Sequence, residues 1–306
     1  MGLSLAQVLL RRSRDDTDCS DMRNTFAKII EKVLRWGSSN LPLRFFGLLY
    51  VGTVREDSCL RADSVEVRRR KIAERISERT GRVIQSGLFA GTALPQSTAW
   101  GANDYAAMLL GTYEQELHDP IRACLELLPD SIVNLGCASG LYAAGLARCL
   151  PGCPVTANDL APEALAATSQ AWELNHLGDS NPIELSLGRA TFAQLSEWLE
   201  RRRLPLIVCD IEGGERELLD PIEVPQLAKA ILVCEVHDHE APGTAGLLTR
   251  RFRPTHQLTI VTSQARNPND YPLLADCEEN DRWLAVSEAR SRSGIWMVAI
   301  PNGAVT

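Results

Sequence analysis

Short apolar runs recur through the second half of the chain. They occupy Ser131–Leu135, Pro154–Asp159, Ile183–Leu187, Leu204–Asp210, Ala230–His237, His256–Thr262 and Gly294–Pro301. Several carry β-branched pairs or triplets with no polar alternation, which predicts strands covered on both faces. Between them the apolar positions fall three or four apart, and this spacing predicts helices beginning at Leu141 and over Pro162–Leu177, Thr191–Arg202 and Thr244–Arg251. Strand and helix alternate, so the expected class is α/β with a mostly parallel sheet. Before the last strand there is a turn-rich loop, Arg266–Tyr271, and a helical stretch, Arg282–Ala289, but no full crossover. The sheet is therefore expected to close with an antiparallel hairpin.

Residues 1–90 read differently. Phe26, Ile29, Ile30, Val33 and Leu34 recur at helical spacing from about Asp21 to Trp36. A second helix is expected from about Ser64 to Thr80, with Val65, Val67, Ile72 and Ile76 apolar and Arg68, Arg69, Arg70, Glu74 and Glu78 polar. We therefore divide the 306 residues into an N-terminal helical region, 1–90, and a larger domain, 91–306. The front carries no evident chemistry. It is expected to be a cap or an oligomerisation element, which would make a homodimer through these helices. It nets +6 and the remainder −13. Arginine and glutamate alternate in the basic front, so a solvated helical face is the expected reading, ahead of an acidic partner.

Candidate chemistry lies where the predicted strands end. Gly136 and Gly140 bracket the small residues Cys137-Ala138-Ser139 between the first strand and its helix. Such a turn sets unpaired N–H groups beside a ligand. A dinucleotide fingerprint needs glycines at 138 and 141, where the chain has Ala138 and Leu141, so NAD-dependent oxidation is disfavoured. Asp159 ends the second strand, where nucleotide folds place a carboxylate against ribose hydroxyls; it also suits a helix cap. Asp210 ends the fourth strand and Glu212 shares its parity, followed by Gly213, Gly214 and Glu215. Glu235 and His237 share parity at the tip of the fifth. These four are expected to converge, as a general base or as ligands of a divalent cation. Trp100 and Tyr113, just ahead of the glycine turn, are either stacking partners of a ring or core aromatics.

Gly136-x-Ala138-x-Gly140 resembles the first motif of class I S-adenosylmethionine (SAM) methyltransferases, G-x-G-x-G, with alanine at its centre. VNLGCASG, VTANDLAPEAL, VCDIEGGERELL and ILVCEVH together resemble the FkbM-type SAM-dependent methyltransferases. Their fourth motif, approximately D-x-E-G-x-E-x-x-x-L, is matched by Asp210, Glu212, Gly213, Glu215 and Leu219. The resemblance covers roughly 131–300. It implies a Rossmann-like seven-stranded sheet with its last strand antiparallel, and SAM-dependent O-methylation of a small-molecule hydroxyl on a sugar or natural product. It places Gly136, Ala138 and Gly140 at the methionine end of SAM, Asp159 at the ribose, and Asp210 and Glu212 near the methyl group; Asn134, Ser139, Leu160 and Tyr113 are further candidate cofactor contacts. Ala138, Asp159 where these enzymes commonly have glutamate, and the third-strand tip Ser186–Arg189 depart from the pattern, and the adenine contacts are left open.

His237, neutral near pH 7, is the first expected base, and Asp210 the second, by direct proton acceptance or through a cation. Arg266, Arg282 and Arg290 are either contacts to an acidic acceptor or surface residues. The alternatives are a non-catalytic SAM- or partner-binding module and an N-methyltransferase on a small molecule. A nucleic-acid acceptor ranks low, because the larger domain is acidic. Nine scattered cysteines without a C-x-x-C pair point to a reducing, cytoplasmic location. Arg11 and Arg12 interrupt the one early apolar run, and Leu41–Val54 is too short to span a bilayer, so neither signal peptide nor membrane span is expected.

Overall fold

In the computed structural model, residues 64–96 and 104–304 are described. The expected helix Asp21–Trp36, the apolar stretch Leu41–Val54 and Trp100 lie outside the described residues. The elements are helices α1 (Val65–Thr80), α2 (Tyr105–Leu110) and α3 (His118–Glu126), then β1 (Ser131–Leu135), α4 (Leu141–Cys149), β2 (Val155–Asp159), α5 (Pro162–Leu174), β3 (Ile183–Leu187), α6 (Phe192–Leu199), β4 (Pro205–Cys209), α7 (Glu215–Leu218), β5 (Ile231–Glu235), α8 (Thr244–Phe252), β6 (His256–Thr262), α9 (Glu279–Val286) and β7 (Ile295–Pro301).

The strands form one sheet in the order β3-β2-β1-β4-β5-β7-β6. β1, β2, β3, β4 and β5 pair in parallel, and β7 runs antiparallel to both β5 and β6. This is the seven-stranded α/β sheet with its last strand antiparallel that the resemblance implied. The three central strands β1, β4 and β5 are buried along their whole length, while the edge strands β3 and β6 are largely open to solvent.

Side-chain parity sorts the core into two layers. Ile132, Val208, Val233 and Trp296 face one cluster with α4 and α5, and Val133, Cys209, Cys234 and Met297 face another with α6 and α8. α6 begins on a capping box, Thr191 with Gln194, which satisfies two N-terminal backbone donors.

The compact unit that holds the sheet begins at Asp63. Residues 63–90, grouped by sequence with the N-terminal helical region, therefore pack with the larger domain. α1 is capped by the Ser64 hydroxyl, which accepts from the Val67 N–H, and it buries Ile72, Ala73 and Ile76 against the first core layer. Its arginines account for part of the basic front. Arg68 pairs with Asp281, Arg79 with Asp276, and Arg69 donates to the carbonyls of Leu284 and Ser287. Among the described residues no helix is long and apolar enough to cross a membrane, and the seven described cysteines are free.

The strand order reverses between β1 and β4, so the carboxyl ends of these two strands open a crevice there. The backbones meet closely at this point. Gly136 has φ +76°, and a Cβ built on it would stand 1.7 Å from the carbonyl oxygen of Asp210. Gly136→Ala should therefore destabilise the fold by about 3 kcal/mol or more, through the clash and the positive φ together. Urea unfolding monitored by circular dichroism measures this; a loss of less than about 1 kcal/mol would contradict the close approach of the two turns.

Candidate active site

The glycine turn is built by its own backbone and by Asp159. The N–H groups of Gly136 and Cys137 both donate to the Asn158 carbonyl, and the Ala138 N–H donates to Asp159 Oδ2 at 3.0 Å. Asp159 Oδ1 accepts the Ala161 N–H at 2.9 Å. Asp159 is buried, so its first task is to tie the turn to the end of β2. Each oxygen keeps a second lone pair for a further donor. Ala138 holds φ +46°, a left-handed conformation in which glycine would be free of strain. Gly140 caps α4 with no side-chain partner, which leaves the first-turn N–H groups of the helix facing out of the turn.

Around this turn the other expected cofactor residues differ in exposure. Asn134 is buried on β1, and its Oδ1 has no hydrogen-bond partner. Ser139 is buried, its hydroxyl 3.9 Å from the Met108 sulfur. Leu160 is 71% exposed at the end of β2, and Leu187, its neighbour at the end of β3, is 59% exposed. Tyr113 packs on the first core layer, with the Arg290 guanidinium 5.9 Å from its ring centre.

The β4 and β5 ends bring together Asp210, Glu212 and His237. His237 Nε2 lies 3.3 Å from Glu212 Oε2 and 3.6 Å from Asp210 Oδ1. On the other side of the ring, Nδ1 lies 2.8 Å from Glu215 Oε1. Glu215 is fully buried, and the same oxygen accepts the N–H groups of Ile211 and Gly213. Glu212 holds φ +50°, strain that persists only where surrounding contacts over-determine it, and Gly213 follows at +95°, a conformation glycine adopts freely. A cleft of about 530 Å³ opens beside the cluster, lined by Glu212, Glu235, His237, Asp238, Arg290 and Arg292 among others.

Glu235 reaches the cluster but is claimed elsewhere. It lies 3.9 Å from His237 Nε2 and accepts from Arg290 Nη1 at 2.5 Å. Arg290 also donates to Glu288 at 2.7 Å and to Glu114, and the Tyr142 hydroxyl donates to Glu114. Arg266 pairs with Glu116 and Glu288. Arg266 and Arg290 thus hold the site together from inside and are not free to meet an acidic acceptor. Arg282 bonds Asn269 at the surface. Glu114, Glu215 and Glu288 had no assigned role from sequence. Glu215 stood in the matched motif, but nothing local marks Glu114, whose φ of +47° is a tertiary outcome.

Carboxylates outnumber cations here, and the titration behaviour follows. Burial alone would lower the imidazole pKa of His237; the Glu215 hydrogen bond and the charges of Asp210, Glu215 and Glu235 outweigh it and raise the pKa to about 9. The surrounding carboxylates therefore favour the charged imidazole and work against the neutral form that a His237 base requires. Burial raises Asp210 to about 7, with the charges of Glu235 and Glu212 adding to it and His237 opposing. Burial works to raise Glu215 as well, but its bonds to His237 and the backbone hold it below the usual range.

No protein-family model matches the chain, and no curated protein sequence does. Solved structures match in chain trace. They include the O-methyltransferase TomG from Streptomyces achromogenes involved in tomaymycin synthesis, in complex with SAM, at 12% identity over 58% of this chain and 77% of that one, with a TM-score of 0.38. The O-methyltransferase from Bacillus cereus in complex with SAH matches at 12% identity over 64% and 96%, TM-score 0.37. The N-terminal domain of human METTL16 matches at 14% identity over 78% and 81%, TM-score 0.45. These are likenesses of backbone; the chemistry lies in this chain's own residues.

Glu114 supplies a pH test of the network. Burial raises its carboxyl to about 8, against the pull of Arg290 and the Tyr142 hydrogen bond and with the charges of Glu235 and Asp210 adding to the rise. Above the ordinary value of 4.5 the unfolded carboxyl has lost its proton while the folded one keeps it. The folded state then binds more protons, so this group's contribution to stability falls as pH rises from 4.5 to about 8. Glu114→Gln should flatten that part of the stability profile, read as urea midpoints across the range. Equal slopes in variant and wild type would contradict it.

Proposed function

We propose that this protein is a SAM-dependent methyltransferase acting on a hydroxyl of a small molecule, such as a sugar or natural product. The observation that carries the reading is the convergence of Asp210, Glu212 and His237 at the carboxyl ends of β4 and β5, where the β4 turn touches the glycine turn of β1.

The residues present fit SAM. The uncapped N-terminus of α4 and the orphaned Asn134 Oδ1 offer a donor set and an acceptor for the amino-acid end of the cofactor. The remaining lone pairs of Asp159 suit ribose hydroxyls. Leu160 and Leu187, exposed at adjacent strand ends, suit the faces of a base. The surplus of carboxylates around Asp210 favours a cationic sulfonium over its neutral product. When bound, SAM supplies a methyl group already activated for transfer to a nucleophile.

The chain's own part is alignment and proton removal. An acceptor hydroxyl in the cleft beside Glu212 and His237 loses its proton at Asp210, either to the carboxylate itself or because Asp210 helps hold a divalent cation that acidifies the hydroxyl. His237 faces the Asp210 and Glu212 carboxylates at 3.6 and 3.3 Å, and these three residues would hold such a cation. Arg290 neutralises Glu235 and Glu114 and keeps the wall of the cleft in place.

The test is a transfer assay with methyl-tritiated SAM and a panel of sugars, glycosides and phenols. Asp210→Asn should lower transfer to any labelled acceptor by about 100-fold or more and leave SAM binding in place. Unchanged turnover in this variant would remove Asp210 from the chemistry. Label released as methylamine rather than methyl ether would move the acceptor atom to nitrogen.

A further inference from the structure

We infer that Asp210, Glu212 and His237 form a binding site for a first-row transition ion, and that Glu215 is the residue that positions the imidazole for it. The inference rests on the reading of this crevice as the acceptor site and adds the ion's chemical class.

His237 is 5% exposed and uses its two nitrogens unequally. Nδ1 faces Glu215 Oε1 at 2.8 Å. An ionised carboxylate is an acceptor only, so the hydrogen of that bond belongs to Nδ1. Nε2 points the other way, toward the carboxylates of Glu212 at 3.3 Å and Asp210 at 3.6 Å. Asp210 Oδ1 is buried without a hydrogen-bond partner. A carboxylate oxygen without a hydrogen bond thus faces Nε2 across 3.6 Å, beside a Glu212 side chain that is open to the cleft.

The spacing itself discriminates. A charge-assisted N–H···O bond spans about 2.7–2.9 Å. Two donors on one ion, each at about 2.0–2.2 Å and separated by about 90–110°, stand roughly 2.8–3.6 Å apart. The observed 3.3 Å to Glu212 and 3.6 Å to Asp210 are longer than such a bond and fit within the span of donors around a common ion. One ligand atom from each of the three residues lies within 4.8 Å of the others. Glu235 does not join them, since Arg290 holds the oxygen nearest to His237.

The donor set names the class. Magnesium and calcium take oxygen ligands, and imidazole nitrogen suits zinc, copper, iron and nickel. One imidazole and two carboxylates therefore favour a first-row ion over magnesium. A carboxylate on the far ring nitrogen is the arrangement that fixes the tautomer and orientation of a ligating histidine. Three protein ligands leave coordination positions open toward the cleft, where an acceptor oxygen can reach the ion.

The experiment is a cobalt(II) titration of the chelator-stripped full chain, followed by visible absorption, with circular dichroism of each variant. Wild type should bind one cobalt ion, zinc should displace it, and a hundredfold excess of magnesium should not. His237→Ala should lose the absorption bands. So should Glu212→Gln, a change to a side chain that is 71% exposed and so does not threaten folding. Glu215→Gln should bind cobalt about 10–100-fold more weakly and with altered bands. Failure of wild type to bind cobalt, displacement by magnesium, or unaltered bands in Glu212→Gln would overturn the inference. SAM binding to the same stripped protein separates the two readings: SAM bound without cobalt sinks the ion alone, and cobalt bound without SAM sinks the methyltransferase alone.

Discussion

Arg290 and His237 hold carboxylates from separate parts of the chain around one crevice. Arg290 joins Glu114, ahead of β1, to Glu235 on β5 and Glu288 after α9. His237 joins Asp210, Glu212 and Glu215, all from the turn after β4. Glu235 touches both sets. Breaking a buried pair by removing one partner costs about 3–5 kcal/mol, because the other charge is left unpaired in a poor solvent. The crevice therefore depends on these two residues in a way that its apolar walls do not share.

The same imbalance gives the site its chemistry. A region with more carboxylates than cations is incomplete on its own terms and selects positive charge: a proton, a sulfonium or a metal ion. Asp210 stands where these choices meet. It touches the glycine turn through its backbone carbonyl and faces His237 through its side chain, so the β1 turn and the carboxylate cluster meet at one residue. Positive φ at Ala138, Glu114 and Glu212 marks the same region as the place where backbone strain is held.

Much of this was legible in the sequence, for definite reasons. β1, β4 and β5 are covered on both faces, so their residues had to be apolar, and the runs stood out. Asp210, Glu212 and His237 could be brought together because strands have period two and ligands bind at the carboxyl ends of parallel strands. The boundary near residue 90 was not legible, because α1 carries its arginines toward Asp281 and Asp276, about 200 positions away. Glu114 and Arg290 are 176 residues apart, and no local pattern links them. Glu215 was visible in its motif, but an acid in a first helical turn already has a sufficient local reason to be there. The charge of His237 depends on the carboxylates around it and could not be read from residue type.

The central claim is that the crevice between β1 and β4 binds SAM. Titration calorimetry of the purified full chain with SAM, with its demethylated product and with NAD tests it most directly. The account predicts micromolar binding of SAM, weaker binding of the neutral product and none of NAD. Binding of NAD, or no binding of SAM or its product, would contradict it.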